Sequence, residues 1–421
     1  MEDASIYLLR QVRLLDPLTQ GDRLADVLIA DCGIRAIAPA LATLPDDIDA
    51  AAVEEIHRPG AVLGPGLVDL YSHASDPGFE SRETAAALTR SALMGGFTRL
   101  TLLPDTQPAI DQAVMLRQLQ GRYASSGLQV SVWGALTLGL AGERLSDLAE
   151  LGAAGAVGFT DVRAQSNEIL YPALDYTQSL GKPIGVSLCR STCPARDGAI
   201  ALRLGLPGAP AADEAAPLAA LLEQLEIIRS PVHIMHLSTA RGVALVAQAK
   251  AHGLPVTASV TWLHLLRDTS DLIAYDPNLR VHPPLGNPED RDALIDGIAA
   301  GTLDAIAVDH RAYTYEEKTV AFAQALPGVV GLQTALSLLW SGLVETGRLS
   351  PLDLWSALST RPAQCLGQSP PVLVVGQAAE AVLFDPAESW KATPQTLASS
   401  ARNTPWMGSS ISGRVVNVWT P

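Results

Sequence analysis

The chain has 421 residues, 48% of them apolar, with 44 acidic against 29 basic side chains and a formal charge of −15. That length allows one large core beside a smaller unit, and the acidic balance argues against a nucleic-acid or anionic-membrane partner, either of which needs a basic face. Four scattered cysteines make no disulfide framework, no apolar run nears the roughly 20 residues that cross a bilayer, and the N-terminus lacks the pattern of a signal peptide, so the expected location is the cytoplasm.

Residues 6–57 read as short strands and turns, IYLLRQVRLLD and then ADVLIADCGIRAIAP, with Asp31-Cys32-Gly33 as a hairpin turn. From Ala61 the texture changes to short apolar runs alternating with helical stretches, the pattern of βα units on a parallel sheet. Eight such runs follow in order: AVLGPGLVDLY from Ala61, FTRLTLLP from Phe97, LQVSVWGAL from Leu128, AVGFT from Ala156, PIGVSLC from Pro183, VHIMHLS from Val232, PVTASV from Pro255 and AIAVDH from Ala305. The intervening segments, such as RETAAALTRSALMGG and STARGVALVAQAKAHG, are rich in alanine and closed by glycine, as helices with C-terminal caps are. Eight strands with helices between them predict a TIM (β/α)8 barrel rather than an open doubly wound sheet. After it, VLVVGQAAEAVLFDP and SGRVVNVWTP return to strand texture. The expected architecture is α/β: a barrel over 61–367 and a small β-sandwich built from both chain ends, 1–60 and 368–421. The proline-rich and charged stretch 207–217 is expected to be a loop.

Barrel enzymes carry their working groups at the C-terminal ends of the strands. Read in order, those ends offer Tyr71, His73 and Ser75; Asp105; Thr160 and Asp161; Ser187 and Cys189; His236 and Ser238; and Asp309 with His310. Side chains two apart on a strand point the same way, so a His-x-His pair can hold one metal. Here the first position is Tyr71, whose phenol loses its proton only near pH ~10. His73, His236, Asp309 and Asp161 keep metal affinity. The alternative is that His73 and Asp309 bond to one another or to Tyr71 as satisfied side chains. His57, His252 and His264 are expected at the surface or at caps, and His233, three residues before His236, on the opposite face of its strand. Lys182 precedes a strand start, the wrong end of the barrel for a metal-bridging group. Cys189 and Cys193 read as ordinary thiols, Gly64-Pro65-Gly66 and Gly95-Gly96 as turns. No phosphate-binding loop, dinucleotide fingerprint or Ser-His-Asp arrangement appears.

PGLVDLYSHASDPGFESRETAAALTRSALMGGFTRLTLLPDTQP resembles the first two βα units of dihydroorotase, the amidohydrolase that closes carbamoyl-aspartate into dihydroorotate. The similarity continues through VHIMHLSTARG, DPNLRVHPPLGNPEDRDAL, GTLDAIAVDHRAYTYEEK, LPGVVGLQTAL and NTPWMGSSISGRVVNVW, covering essentially the whole chain. Position by position, the resemblance implies that His73, His236 and Asp309 occupy family metal or catalytic positions, with Asp309 matching the proton-shuttling carboxylate. It also implies departures. The first histidine of the pair is Tyr71, and the strand-five histidine of a His-Cys-Glu-Asp motif falls on Ser187. The arginine that grips the substrate carboxylate is Ser75, and the asparagine of Pro-Asn-Thr is Asp105. Asn-Pro-Pro-Leu-Arg has become His282-Pro283-Pro284-Leu285-Gly286, and Ala-Pro-His reads Arg311-Ala312-Tyr313. Near Asp161, where some family members have two adjacent aspartates, the sequence is Phe159-Thr160-Asp161-Val162.

Losing a guanidinium that pairs with a carboxylate forfeits roughly 1.5 to 3 kcal/mol per charge-assisted bond, while Asp105 adds a negative charge facing a dianionic ligand. The Ser187 hydroxyl cannot replace an imidazole in a zinc-type site, so a binuclear centre is not expected. The expectation is therefore a catalytically inactive dihydroorotase homologue, with no metal and no cofactor, acting as a structural subunit. The resemblance implies its partner: the catalytic chain of aspartate carbamoyltransferase, in a hetero-oligomer of pyrimidine biosynthesis. The rival expectation is an active mononuclear cyclic amidohydrolase holding one zinc through His73, Asp309 and Asp161, with an altered substrate. A third is a small-molecule sensor that uses the old pocket without chemistry.

Overall fold

A computed structural model describes residues 6–421. The N-terminal strands β1 (Ile6–Asp16), β2 (Gly21–Ala30) and β3 (Gly33–Ala38) form an antiparallel meander. Asp31 and Cys32 join β2 to β3 with φ of 52° and 57°, the left-handed pair that a type I′ hairpin turn requires. β4 (Val53–His57) and β5 (Val62–Pro65) follow, both parallel to β1. β4 pairs with residues 6–10 of β1 and β5 with Arg13 and Leu14, the two stretches separated by a bulge where Gln11 has φ 49°.

The apolar run from Ala61 is therefore two strands and not one. β5 joins the sheet of the chain ends, and β6 (Leu67–Ser72) opens the barrel, with Gly66 between them. β6, β7 (Phe97–Leu102) and β8 (Gln129–Val132) form one parallel arc. β9 (Gly134–Ala135), which continues β8 past Trp133, starts a second arc with β10 (Phe159–Thr160) and β11 (Ile184–Ser187). Outside the arcs, β12 (Ala195–Arg196) and β13 (Gly208–Ala209) pair with each other. β14 (Val232–Met235), β15 (Val256–Thr261) and β16 (Ala305–Ala307) complete the second arc. The ends of the two arcs meet where the Asp309 N–H donates to the Tyr71 carbonyl at 3.1 Å and the His73 N–H to the His310 carbonyl at 2.9 Å. This is a TIM-type α/β barrel with a β domain beside it.

The chain returns to that β domain in β17 (Ala381–Lys391) and β18 (Ser410–Trp419), giving the strand order β18-β17-β5-β1-β2-β3. The expected sandwich is thus one continuous seven-stranded sheet that forks at β1, because the bulge lets two strands share one edge. Leu9, Val12, Val27, Ile29, Leu63 and Leu383 make its own apolar core. Glu380 ties it to the barrel, accepting from Arg99 at 2.6 and 2.7 Å and from the Thr98 hydroxyl at 2.7 Å.

The stretch 207–217 is not a loop. After β13 it enters the helix Ala212–Ile228, whose first turn carries Asp213 and Glu214. Carboxylates suit the positive end of a helix, and Pro217, its sixth residue, lies inside it. Among the described residues no helix is long and apolar enough to cross a membrane.

Candidate functional site

A cavity of about 940 Å³ opens at the C-terminal ends of the barrel strands, with His73, Ser75, Asp105, Asp161, His282 and Arg311 in its wall. Tyr71 lies at the end of β6, fully buried. Its hydroxyl accepts the His236 N–H at 3.1 Å and shares a hydrogen bond with Ser259 at 2.9 Å, while its ring lies 4.5 Å from that of His236. Burial pushes the phenol well above its ordinary range, and Asp309 adds to this, so the group is neutral.

His73 is held between two carboxylates. Nδ1 lies 2.7 Å from Asp105 Oδ2 and Nε2 lies 3.2 Å from Asp309 Oδ1. Burial and Arg311 disfavour the imidazolium, but the two carboxylates outweigh them and hold the His73 pKa above the usual histidine value. Burial opposes the charge of Asp105 as well, yet His73 and Arg311 bring its pKa down to about 2. Asp309 is held well below the carboxylate range against its burial, by His236 and His73. His236 Nε2 lies 3.4 Å from the same Asp309 oxygen, and His236 Nδ1 has no partner. His236 and Asp309 adopt φ of 55° and 51°, left-handed conformations that side-chain-bearing residues adopt at a cost of about 1–2 kcal/mol. Both are steadied by Tyr71, one through its hydroxyl and the other through its carbonyl.

Asp161 is turned toward the segment that follows β9. Thr137 donates to it with its N–H at 2.9 Å and with its hydroxyl, and burial raises the carboxyl pKa. The Ser187 hydroxyl is buried without a partner. Gly286 sits against Asp290, where a side-chain Cβ would come within 2.6 Å of the Asp290 Cβ. Among the described residues no group of three or more His, Cys, Asp or Glu is arranged to hold a metal ion.

Two histidine expectations are corrected. His233 is buried on the same side as Tyr71, bonded through Nε2 to Ser259 and through Nδ1 to Thr257, each at 2.8 Å. Alternation fails here because His236 leaves the extended conformation. His264 is buried too, bridging the Thr261 hydroxyl and the Pro283 carbonyl at 2.7 and 3.1 Å. His57 is exposed, and His252 caps the helix Ala240–Ala251. Sequence reasoning passed over Arg280 and the pairing of Arg82 with Glu317. His310, read beside Asp309 at its strand end, meets Glu83 through Nε2 at 2.9 Å.

Residues 60–222 match the family described as Dihydro-orotase-like. A "Probable dihydroorotase-like protein" of Synechocystis sp. is 42% identical over 96% of this chain and 98% of that protein. A "Dihydroorotase" of Anaeromyxobacter sp. is 36% identical over 96% of this chain and 93% of that protein. Among solved structures, the L-hydantoinase (dihydropyrimidinase) of Arthrobacter aurescens superposes with a TM-score of 0.81 at 22% identity, over 97% of this chain and 93% of that one. A D-hydantoinase from Thermus sp. superposes at 0.79 and 21% identity, over the same shares. These last two likenesses show the fold alone, a barrel with a β domain beside it.

Proposed function

The chain belongs to the dihydroorotase-like family of the amidohydrolase superfamily, and on that premise we propose that it is a non-catalytic member, a structural subunit of an aspartate carbamoyltransferase assembly. One observation carries the loss of catalysis: the groups a metal would need are engaged with one another. His73 has a carboxylate on each ring nitrogen, the Tyr71 hydroxyl is bonded to His236 and Ser259, and both Asp161 oxygens are taken by Thr137. Ser187 brings a hydroxyl where the family resemblance asks for an imidazole. This donor set does not fit a resident zinc centre, which needs three or four free nitrogen, sulfur or carboxylate ligands. Substrate contacts are gone as well: Ser75 cannot grip a carboxylate, and Asp105, ionised beside His73, repels one. With the fold kept and the chemistry gone, the surface is what remains to be selected. The carbamoyltransferase catalytic chain as partner follows from the dihydroorotase resemblance alone, and the cytoplasmic location from the scattered cysteines and the N-terminal sequence.

A second reading has its own observation. The Nε2 atoms of His73 and His236 both lie within 3.4 Å of one Asp309 oxygen, beside an open cavity, and in this reading His73 and Asp309 would hold the single zinc of an active cyclic amidohydrolase. Elemental analysis of the purified protein, a carbamoyl-aspartate cyclisation assay and co-purification with the carbamoyltransferase chain separate the two. The structural reading expects no stoichiometric metal, no turnover and a stable complex. One zinc per chain with ring closure or ring opening of a cyclic amide, in a protein that migrates alone, overturns it.

A further inference from the structure

Five arginines line the barrel cavity of this acidic chain. Arg82 is paired with Glu317, and Arg311 lies 3.4 Å from Asp105. The remaining three, Arg163, Arg190 and Arg280, have no carboxylate within 4.0 Å among the described residues; none of them appears in any ion pair there. They share one wall. Arg190 donates to the Gln165 carbonyl at 2.9 Å, two residues from Arg163, and Arg280 donates to the Thr192 carbonyl at 2.7 Å, two residues from Arg190.

Arg280 is the strongest sign. It is only 5% exposed, its two terminal nitrogens reach only main-chain carbonyls, of Val281 and Thr192, and its Nε has no partner. A buried guanidinium without a counter-ion is costly, and such charges persist where something neutralises them. The carboxylates of the cavity are not available for this. Asp105 answers His73 and Arg311, and Asp161 answers Thr137. Arg163 and Arg190 are exposed at the rim, where they draw an anion inward against the repulsion of the protein's net charge.

We propose that the wall formed by Arg163, Arg190 and Arg280 binds the phosphate group of a small phosphorylated metabolite. Three arginines along one wall call for at least two negative charges in a compact group, which a phosphate supplies. A dicarboxylate spreads the same charge over two separated ends. The proposal does not depend on the carbamoyltransferase partner or on the absence of turnover, since binding is measured on the isolated chain.

Inorganic pyrophosphate, inorganic phosphate and malonate are titrated calorimetrically into the purified full-length protein at low and raised salt. The expected result is saturable pyrophosphate binding that weakens with salt, exceeds malonate binding, and loses roughly tenfold or more in affinity in Arg190→Ala and in Arg280→Met. Arg229→Ala, an exposed arginine paired with Glu226, should leave it unchanged. If Arg280→Met fails to fold, as its near-UV spectrum would report, the exposed Arg163→Ala and Arg190→Ala variants carry the test. No saturable binding, affinity that ignores these variants, or a preference for malonate overturns the proposal.

Discussion

Tyr71 holds two neighbours at once, taking the His236 N–H on its hydroxyl and the Asp309 N–H on its carbonyl. Tyr71→Phe keeps the ring and removes the hydroxyl, leaving the His236 N–H and the Ser259 hydroxyl short of a partner in a dry interior. Unfolding in urea should show a loss of about 1–3 kcal/mol; an unchanged midpoint would mean the hydroxyl does not steady the strained His236. His264 gives a pH dependence. Burial, with Arg196 and His236 nearby, pushes its pKa down to about 4 from an unfolded value of 6.5. Between those values the unfolded chain binds the extra proton, so stability is complete above pH 6.5 and falls as the pH drops toward 4. At pH 5 this one residue should cost up to roughly 2 kcal/mol. His264→Gln should flatten that part of the profile in denaturation midpoints taken at several pH values. Of the site, the strand-end residues were legible one by one, because chemistry-bearing side chains at those ends recur with the barrel period. Their partners were not: nothing in the local sequence says that Asp105 reaches His73 or that Thr137 reaches Asp161.

At the scale of elements, β5 is the hinge between the β domain and the barrel, and it has no room. An added Cβ on Gly64 would lie 2.2 Å from the Trp355 ring, whose Nε1 donates to the Pro65 carbonyl at 2.8 Å. Gly64→Ala should therefore cost more than about 3 kcal/mol or yield insoluble protein. Gly121→Ala, in the helix Ala113–Tyr123 with open space around it, should instead add about 0.5–1 kcal/mol. Measured unfolding midpoints of the pair check both signs. The strand and helix order was legible from apolar runs and alanine-rich segments. The split of the run at Gly66 was not, since an uninterrupted apolar stretch reads the same whether it serves one sheet or two. The helix at Ala212–Ile228 was not legible because the proline and charge content of 207–217 reads as a loop, whereas the alanine- and leucine-rich run carries a helix that holds Pro217 inside it.

For the whole molecule, the question of metal and turnover can be forced by restoring what the family resemblance says is missing. Tyr71→His with Ser187→His should raise zinc bound per chain, measured by elemental analysis, while dihydroorotate formation stays at background, because Ser75 and Asp105 still face the ligand. Turnover in that double variant would mean the anion-gripping losses are not decisive. The sequence by itself determined the alternation of strands and helices, the order of groups at the strand ends and the substitutions among them, because each of these depends only on residues near in the chain. The tertiary structure alone decided that the chain ends form one forked sheet, that His233 and His264 are buried, that Tyr71 closes on His236 and Ser259, and that three cavity arginines have no carboxylate within 4.0 Å among the described residues. Those facts depend on contacts between residues up to hundreds of positions apart, and on left-handed turns at His236 and Asp309 that break the alternation from which side-chain direction is read.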